Sequence, residues 1–312
     1  MKNYTDIRDA IFDELYNIAL NDKKVVIISV DTGAMIFKKM KENIPLQFYN
    51  VGIAEQNAMS VAAGLALTGH HVFIFGIANF VTLRCFEQIK IDVASMNASV
   101  TILASATGYF YGEDGPTHHM TENLAILRTL PGFTIWSPSC CSMAASLIHK
   151  AYETPTPNCI YFDRGPFQEL YEEDENDFSD GVSLIKPGKD LIIISTGVMV
   201  QEALCVADKL EEDGIDVGVV DIYRLKPLNE KRLLELLKGV KRIATLEEHT
   251  ISGGLGGLIC EFLAGVEMLI PIKIFGIPDI FQHKVGDRDE LRLLAGIDVS
   301  RVVGDITKWL KS

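Results

Sequence analysis

Two periods alternate along the chain. Short unbroken apolar runs at 25–30, 71–75, 100–104, 134–136 and 159–162 have the length of buried parallel strands. Between them apolar residues return every three or four positions, at 5–20, 79–93 and 142–153, which predicts helices, the first with Thr5 as its cap. A further helix follows Gly52, where Ile53, Ala54, Ala58, Met59, Val61, Ala62, Leu65 and Ala66 recur. Its apolar face is wide and rich in Ala and Gly, so it is expected to pack closely on both sides. A second series starts after 182, with strands at 191–195, 217–221, 242–246 and 272–276 and helices near 199–213, 229–239, 253–264 and 298–310. This alternation predicts an α/β fold of two doubly wound domains, with ligands at the carboxyl ends of the strands.

The segment QELYEEDENDFSD (168–180) holds seven acidic and no basic residues, the mark of a solvated linker. The expected boundaries are therefore a domain at 1–167, a linker at 168–182 and a domain at 183–312. A chain of 312 residues, 48% apolar and 23% charged, suffices for two separate cores. No apolar run approaches the roughly 18 residues of a membrane span, and residues 1–15 lack a signal-peptide core, so a cytoplasmic protein is expected. The net charge of −13 counts against nucleic acid and membrane surfaces as partners. Six cysteines without CxxC pairing predict reduced thiols, with neither a disulfide framework nor a zinc site.

Against this pattern Glu55 stands out, in the first turn of its helix beside Ile53 and Ala54. A carboxylate there complements the positive helix end; if buried, it needs a partner or a raised pKa. Three other groups carry candidate chemistry. FGIANFVTLRCFEQ (75–88) sets Phe80, Arg84 and Phe86 in one segment, where aromatic residues serve the core more often than a ligand. The loop 107–123 (TGYFYGEDGPTHHMTEN) holds Asp114, His118 and His119 among glycines and a proline, a long post-strand loop of the binding type. Arg8, Arg164 and His118 are separate cationic groups, which spacing alone does not bring together.

These segments carry a resemblance. FYNVGIAEQNAMSVAAGLAL (48–67), the aromatic-Arg-FEQ segment, GEDGPTHH (112–119) and EEHTISGGLGG (247–257) resemble, in order and spacing, the C-terminal half of the transketolase family of thiamine-diphosphate enzymes. GIAEQ with GEDGPTH about 57 residues later is the most specific pairing. The resemblance implies a pyrimidine-binding domain, a small C-terminal domain, and transfer of a two-carbon ketol unit from a ketose phosphate, or a similarly anionic ketose, to an aldose. Glu55 matches the activating glutamate, which hydrogen-bonds the cofactor's pyrimidine and drives the tautomer that deprotonates the thiazolium. Phe80 matches the aromatic that stacks on the pyrimidine; Ile77 lies where many relatives have Phe, and Arg84 joins them as cofactor-binding. Asp114 matches a ligand of a donor hydroxyl. Arg8, His118 and Arg164 match the groups that hold the substrate's terminal phosphate, work suited to guanidinium forks. His70, His71 and His119 are expected to be supporting. One position departs: Ala106, eight residues before Asp114, replaces a histidine that in many transketolases contacts the donor's first carbons. An unusual ketose, or a sulfonate tail in place of phosphate, is the implication.

The family's diphosphate-binding domain carries a GDG motif followed by Asn, which ligates Mg2+, and no such motif occurs in this chain. The resemblance therefore implies an N-terminal transketolase subunit that carries it, holding Mg2+ and the diphosphate in an α2β2 heterotetramer with this chain. His249 is expected to be a packing residue in a C-terminal domain without chemistry of its own. Three alternatives remain: a deoxyxylulose-phosphate-synthase-like ligase, a 2-oxo-acid dehydrogenase β-type subunit and a non-catalytic scaffold paralogue. Against the first stand the GEDGPTH loop and Thr107, where that family has an arginine. The second shares the domains but not this loop. Retention of Glu55, Phe80, Asp114, Arg8 and Arg164 counts against the third.

Overall fold

A computed structural model describes residues 4–171 and 177–311; the centre of the acidic linker, 172–176, lies outside the described residues. The chain forms two compact units, one of residues up to 107 and 126–179, the other of 108–125 and 180 onward.

In the first unit α1 (Ile7–Asn21) precedes β1 (Val25–Ser29), and α2 (Phe37–Asn43) and β2 (Phe48–Asn50) precede α3 (Glu55–Leu67). β3 (His71–Ile77) leads into a helical segment, 79–94, centred on the single turn α4 (Phe86–Gln88). After β4 (Val100–Ser105) the chain passes through 108–125 and the short α5 (Asn123–Leu127), then returns in β5 (Thr134–Trp136), α6 (Cys141–Glu153) and β6 (Asn158–Phe162). These strands lie in the order β2-β1-β3-β4-β6-β5, every pair parallel. β1, β4 and β6 are buried along their whole length. A parallel sheet covered on both faces has no solvated side, which is why these strands read as unbroken apolar runs. Phe12 of α1 seats the helix, its ring edge-on to Phe75 at 4.7 Å and to Phe37 at 5.0 Å.

Three local expectations change. The cap of α1 is Asp6, whose side chain accepts from the Arg8 amide at 2.8 Å; the helix begins one residue later than Thr5 requires. α3 is packed on one side only. Ala58, Met59, Ala62, Ala63 and Ala66 form its buried stripe, while Ile53 is 75% and Val61 41% exposed. The 79–93 helix is interrupted by wide turns with i to i−5 bonds, Arg84 N to Asn79 O (3.3 Å) and Ser95 N to Lys90 O (3.0 Å). Such bulges shift the phase of a helix and recur at functional sites.

The second unit contains β7 (Val182–Lys186), β8 (Leu191–Ser195), α7 (Met199–Glu212), β9 (Val217–Ile222), β10 (Arg224–Lys226), α8 (Glu230–Leu236) and β11 (Ile243–Thr250). α9 (Leu255–Gly265), β12 (Ile272–Ile277), α10 (Arg288–Ala295) and α11 (Val299–Leu310) complete it. Its sheet runs β12-β11-β8-β9-β7, parallel except at the β7 edge. Both units are thus α/β with mainly parallel sheets, the predicted class. All six cysteines are free and four of them are buried.

Candidate functional site

β1 pairs with β2 on one side and β3 on the other, so the segments leaving both outer strands meet at one edge of the sheet. This carboxyl edge is where open α/β sheets bind ligands. Glu55 opens α3 there and is only 5% exposed. Arg84 Nη1 donates to its Oε2 at 3.0 Å, and the Arg84 guanidinium lies 4.2 Å from the centre of the Phe80 ring. The wide turn at Asn79–Leu83 carries Phe80 and ends at Arg84, the residue that reaches Glu55. Glu55 Oε1 accepts no hydrogen bond from the described residues. Ile77, half-buried, ends β3 three residues before Phe80. Burial, then the Glu55 charge, push the neighbouring Cys85 thiol up to about 12, which keeps it protonated and unreactive.

Arg8 and Arg164 are joined through a residue that sequence reasoning misses. Asp6 accepts from the Arg8 amide through one oxygen and from the Gly165 amide through the other, at 2.8 and 3.1 Å. The start of α1 and the segment after β6 are therefore held side by side. Arg8 also reaches Asp9, at 3.1 Å. The adjacent Asp163, 1% exposed, accepts from the amide and hydroxyl of Thr107 at 2.7 and 3.2 Å. Ala106 is buried in a left-handed conformation, φ 67°.

Asp114 and His118 belong to the second unit. The loop makes a tight helical turn at Gly112–Thr117, broken at Gly115. Asp114 is exposed, and its carbonyl accepts from the Thr117 hydroxyl, which also meets His118 Nδ1 at 3.0 Å. His119 is buried against Tyr109 (5.0 Å between rings), and burial lowers its pKa, keeping it neutral. His249 donates from Nδ1 to the Thr250 carbonyl (2.7 Å) and accepts at Nε2 from the Ala125 amide (3.3 Å). Glu247 caps α9 through the Leu255 and Gly256 amides. Among the described residues there is no group of three His, Cys, Asp or Glu placed to hold a metal, and no helix long and apolar enough to cross a membrane.

The chain thus combines two α/β units with a buried carboxylate at a helix start, tied to an arginine that lies over an aromatic ring. This chain belongs to the transketolase family: residues 3–168 match the transketolase pyrimidine-binding domain and 180–302 the transketolase C-terminal domain. It is 35% identical to an apulose-4-phosphate transketolase subunit of Phocaeicola vulgatus, over 89% of each chain. To the 6-deoxy-6-sulfo-D-fructose transketolase subunit SqwH of a Clostridium species it is 29% identical, over 95% of this chain and 92% of that one. A solved structure described as a split gene transketolase, inactive beta4 tetramer, matches with a TM-score of 0.89 at 31% identity, covering 99% of both chains. The chain is a C-terminal subunit of the split-transketolase type, a transferase of a thiamine-diphosphate family.

Proposed function

We propose that the chain works with an N-terminal transketolase subunit, as a cytoplasmic α2β2 heterotetramer, to move a two-carbon ketol unit from an anionic ketose to an aldose. In this reading 1–167 is the pyrimidine-binding domain, 168–182 the linker and 183–312 the C-terminal domain. The observation that carries it is Glu55, almost fully buried, with one oxygen on Arg84 and the other accepting nothing from the described residues. An aminopyrimidine fits this pair of features: a ring face for Phe80 and a nitrogen for Oε1. Bound there, thiamine diphosphate supplies the nucleophilic carbon for carbon–carbon cleavage and ligation. Glu55 holds the proton at the pyrimidine nitrogen, Arg84 fixes the carboxylate's direction through Oε2, and Phe80 and Ile77 orient the ring away from water. Arg8, Arg164 and His118 bind the donor's anionic tail, and Asp114 takes a donor hydroxyl. Mg2+ and the diphosphate fall to the partner, expected to carry the GDG motif followed by Asn.

The names of two relatives, one a transketolase of a ketose phosphate and one of a sulfonated ketose, support an anionic tail and leave its chemistry to experiment. Ala106, a methyl where many transketolases place an imidazole, fits a donor that differs from the usual one at its first carbons. The test is to assay the chain, alone and with the partner, on ketose phosphates, sulfoketoses and pyruvate. Ketol transfer by the pair alone supports the proposal. Turnover by the single chain sinks the two-subunit part, and preference for pyruvate favours the synthase-like alternative. Glu55→Gln activity equal to wild type would leave only a scaffold.

A further inference from the structure

The loop that bears Asp114 and His118 is built into the second unit, and its attachment is a buried charge cluster. Glu248, on β11, has a side chain only 4% exposed. It accepts from the Tyr109 amide at 2.6 Å, from Arg288 Nε at 3.0 Å to each oxygen, and from Arg292 Nε at 2.6 Å. Arg292 extends to Glu202 at 3.0 Å, and Arg288 lies 5.8 Å from the Phe110 ring. Burial alone would raise the pKa of Glu248; Arg288, Arg292 and the Tyr109 amide outweigh it and hold the carboxyl below the ordinary glutamate value. The approach is close. A Cβ on Gly108 would stand 2.5 Å from Glu248 Oε1, and Gly108 has φ 59°, where glycine is at ease. Further along the loop a cavity of about 460 Å³ borders Pro116 and His119, while Gly112 packs closely against the Gly286 carbonyl and Leu291.

We infer that Glu248, clamped between Arg288 and Arg292, is a positioning residue: it sets where Asp114 and His118 stand and thereby governs affinity for the donor. The effect on a ketose donor rests on the proposed transketolase function; the clamp itself does not. The C-terminal domain then contributes to substrate recognition without touching substrate.

The experiment compares wild type with Glu248→Gln and Gly108→Ala, assayed in the full complex with the N-terminal partner and followed by amide hydrogen exchange. Donor KM is expected to rise about tenfold or more with kcat held within about twofold. Acceptor KM and thiamine-diphosphate affinity stay unchanged, and exchange quickens across 108–122 but not across 71–104. Glu248→Gln leaves two guanidinium groups short of their counter-charge. Gly108→Ala keeps all three charges and only forces the loop away from Glu248, so it decides the matter if the first variant fails to fold. Unchanged donor KM with wild-type exchange overturns the inference, as does a parallel loss in kcat and in both KM values. A wild-type complex that turns over no ketose would refute the transketolase reading separately. The exchange pattern then decides on the clamp: quickening confined to 108–122 supports it, and uniform quickening overturns it.

Discussion

At Glu55 a charge stands on a helix whose other buried residues are Ala and Met, and its contacts are few enough to change one at a time. Replacing Glu55 with Gln keeps its size while removing the negative charge that the proposed function places at the cofactor's pyrimidine. The reconstituted enzyme is expected to lose about 10²- to 10⁴-fold in kcat, with the melting temperature of the chain nearly unchanged. Ala106 makes a second prediction. A non-glycine residue in the left-handed region costs roughly 1–2 kcal/mol, part of which glycine gives back in the unfolded chain. Ala106→Gly should therefore stabilise the first unit by about 0.5–1 kcal/mol, read from the denaturant midpoint. Glu55, Phe80 and Arg84 stand out in the sequence because two motif segments mark them; Phe80 and Arg84 share one turn, and a single strand separates that turn from the helix of Glu55. Asp6, Asp163 and Glu248 are not. Their partners stand far off in sequence, Gly165 for Asp6, Thr107 for Asp163 and Tyr109 for Glu248, and nothing in single-chain periodicity reports such pairings.

Among the elements, fully buried strands announce themselves, because a run such as 191–195 is apolar for one simple reason. β2 and β10, of three residues each, and β7, half-exposed at an edge, have no comparable signature. The wide turns around α4 are hidden as well, since apolar spacing records which face is buried but not the hydrogen-bond step. The start of α1 is where a helix is tied to the segment after β6. Asp6→Ala removes both its cap and its link to Gly165, and is expected to destabilise the first unit by about 1–2 kcal/mol in urea unfolding, with Asp6→Asn closer to wild type. For β11 and α10 the prediction concerns pH. The lowered pKa of Glu248 gives stability that is present above the ordinary glutamate value of 4.5 and lost as pH falls from there through the folded value. Melting temperature followed downward from neutral pH should show this loss in wild type, and Glu248→Gln should flatten that part of the curve.

For the whole molecule, the proposed function makes this chain one half of a catalyst whose other half is the N-terminal subunit. The isolated chain is expected to show no ketol transfer and weak thiamine-diphosphate binding. Mixing with the N-terminal subunit should give activity together with a 2:2 species in native mass spectrometry. The two-unit architecture is legible from the acidic segment and the two rounds of strand–helix alternation. The destination of residues 108–125 is not, because a loop between two first-unit strands gives no sign that it folds with residues more than a hundred positions later. That excursion constrains how such chains can be recombined. A chimaera joined within 168–182, taking its front half from one relative and its rear from another, would inherit the loop from one parent and Glu248, Arg288 and Arg292 from the other. On the role proposed for the loop, mismatched parents would yield hybrids that fold yet grip their sugar poorly, and donor preference would travel with the two pieces together, not with either alone.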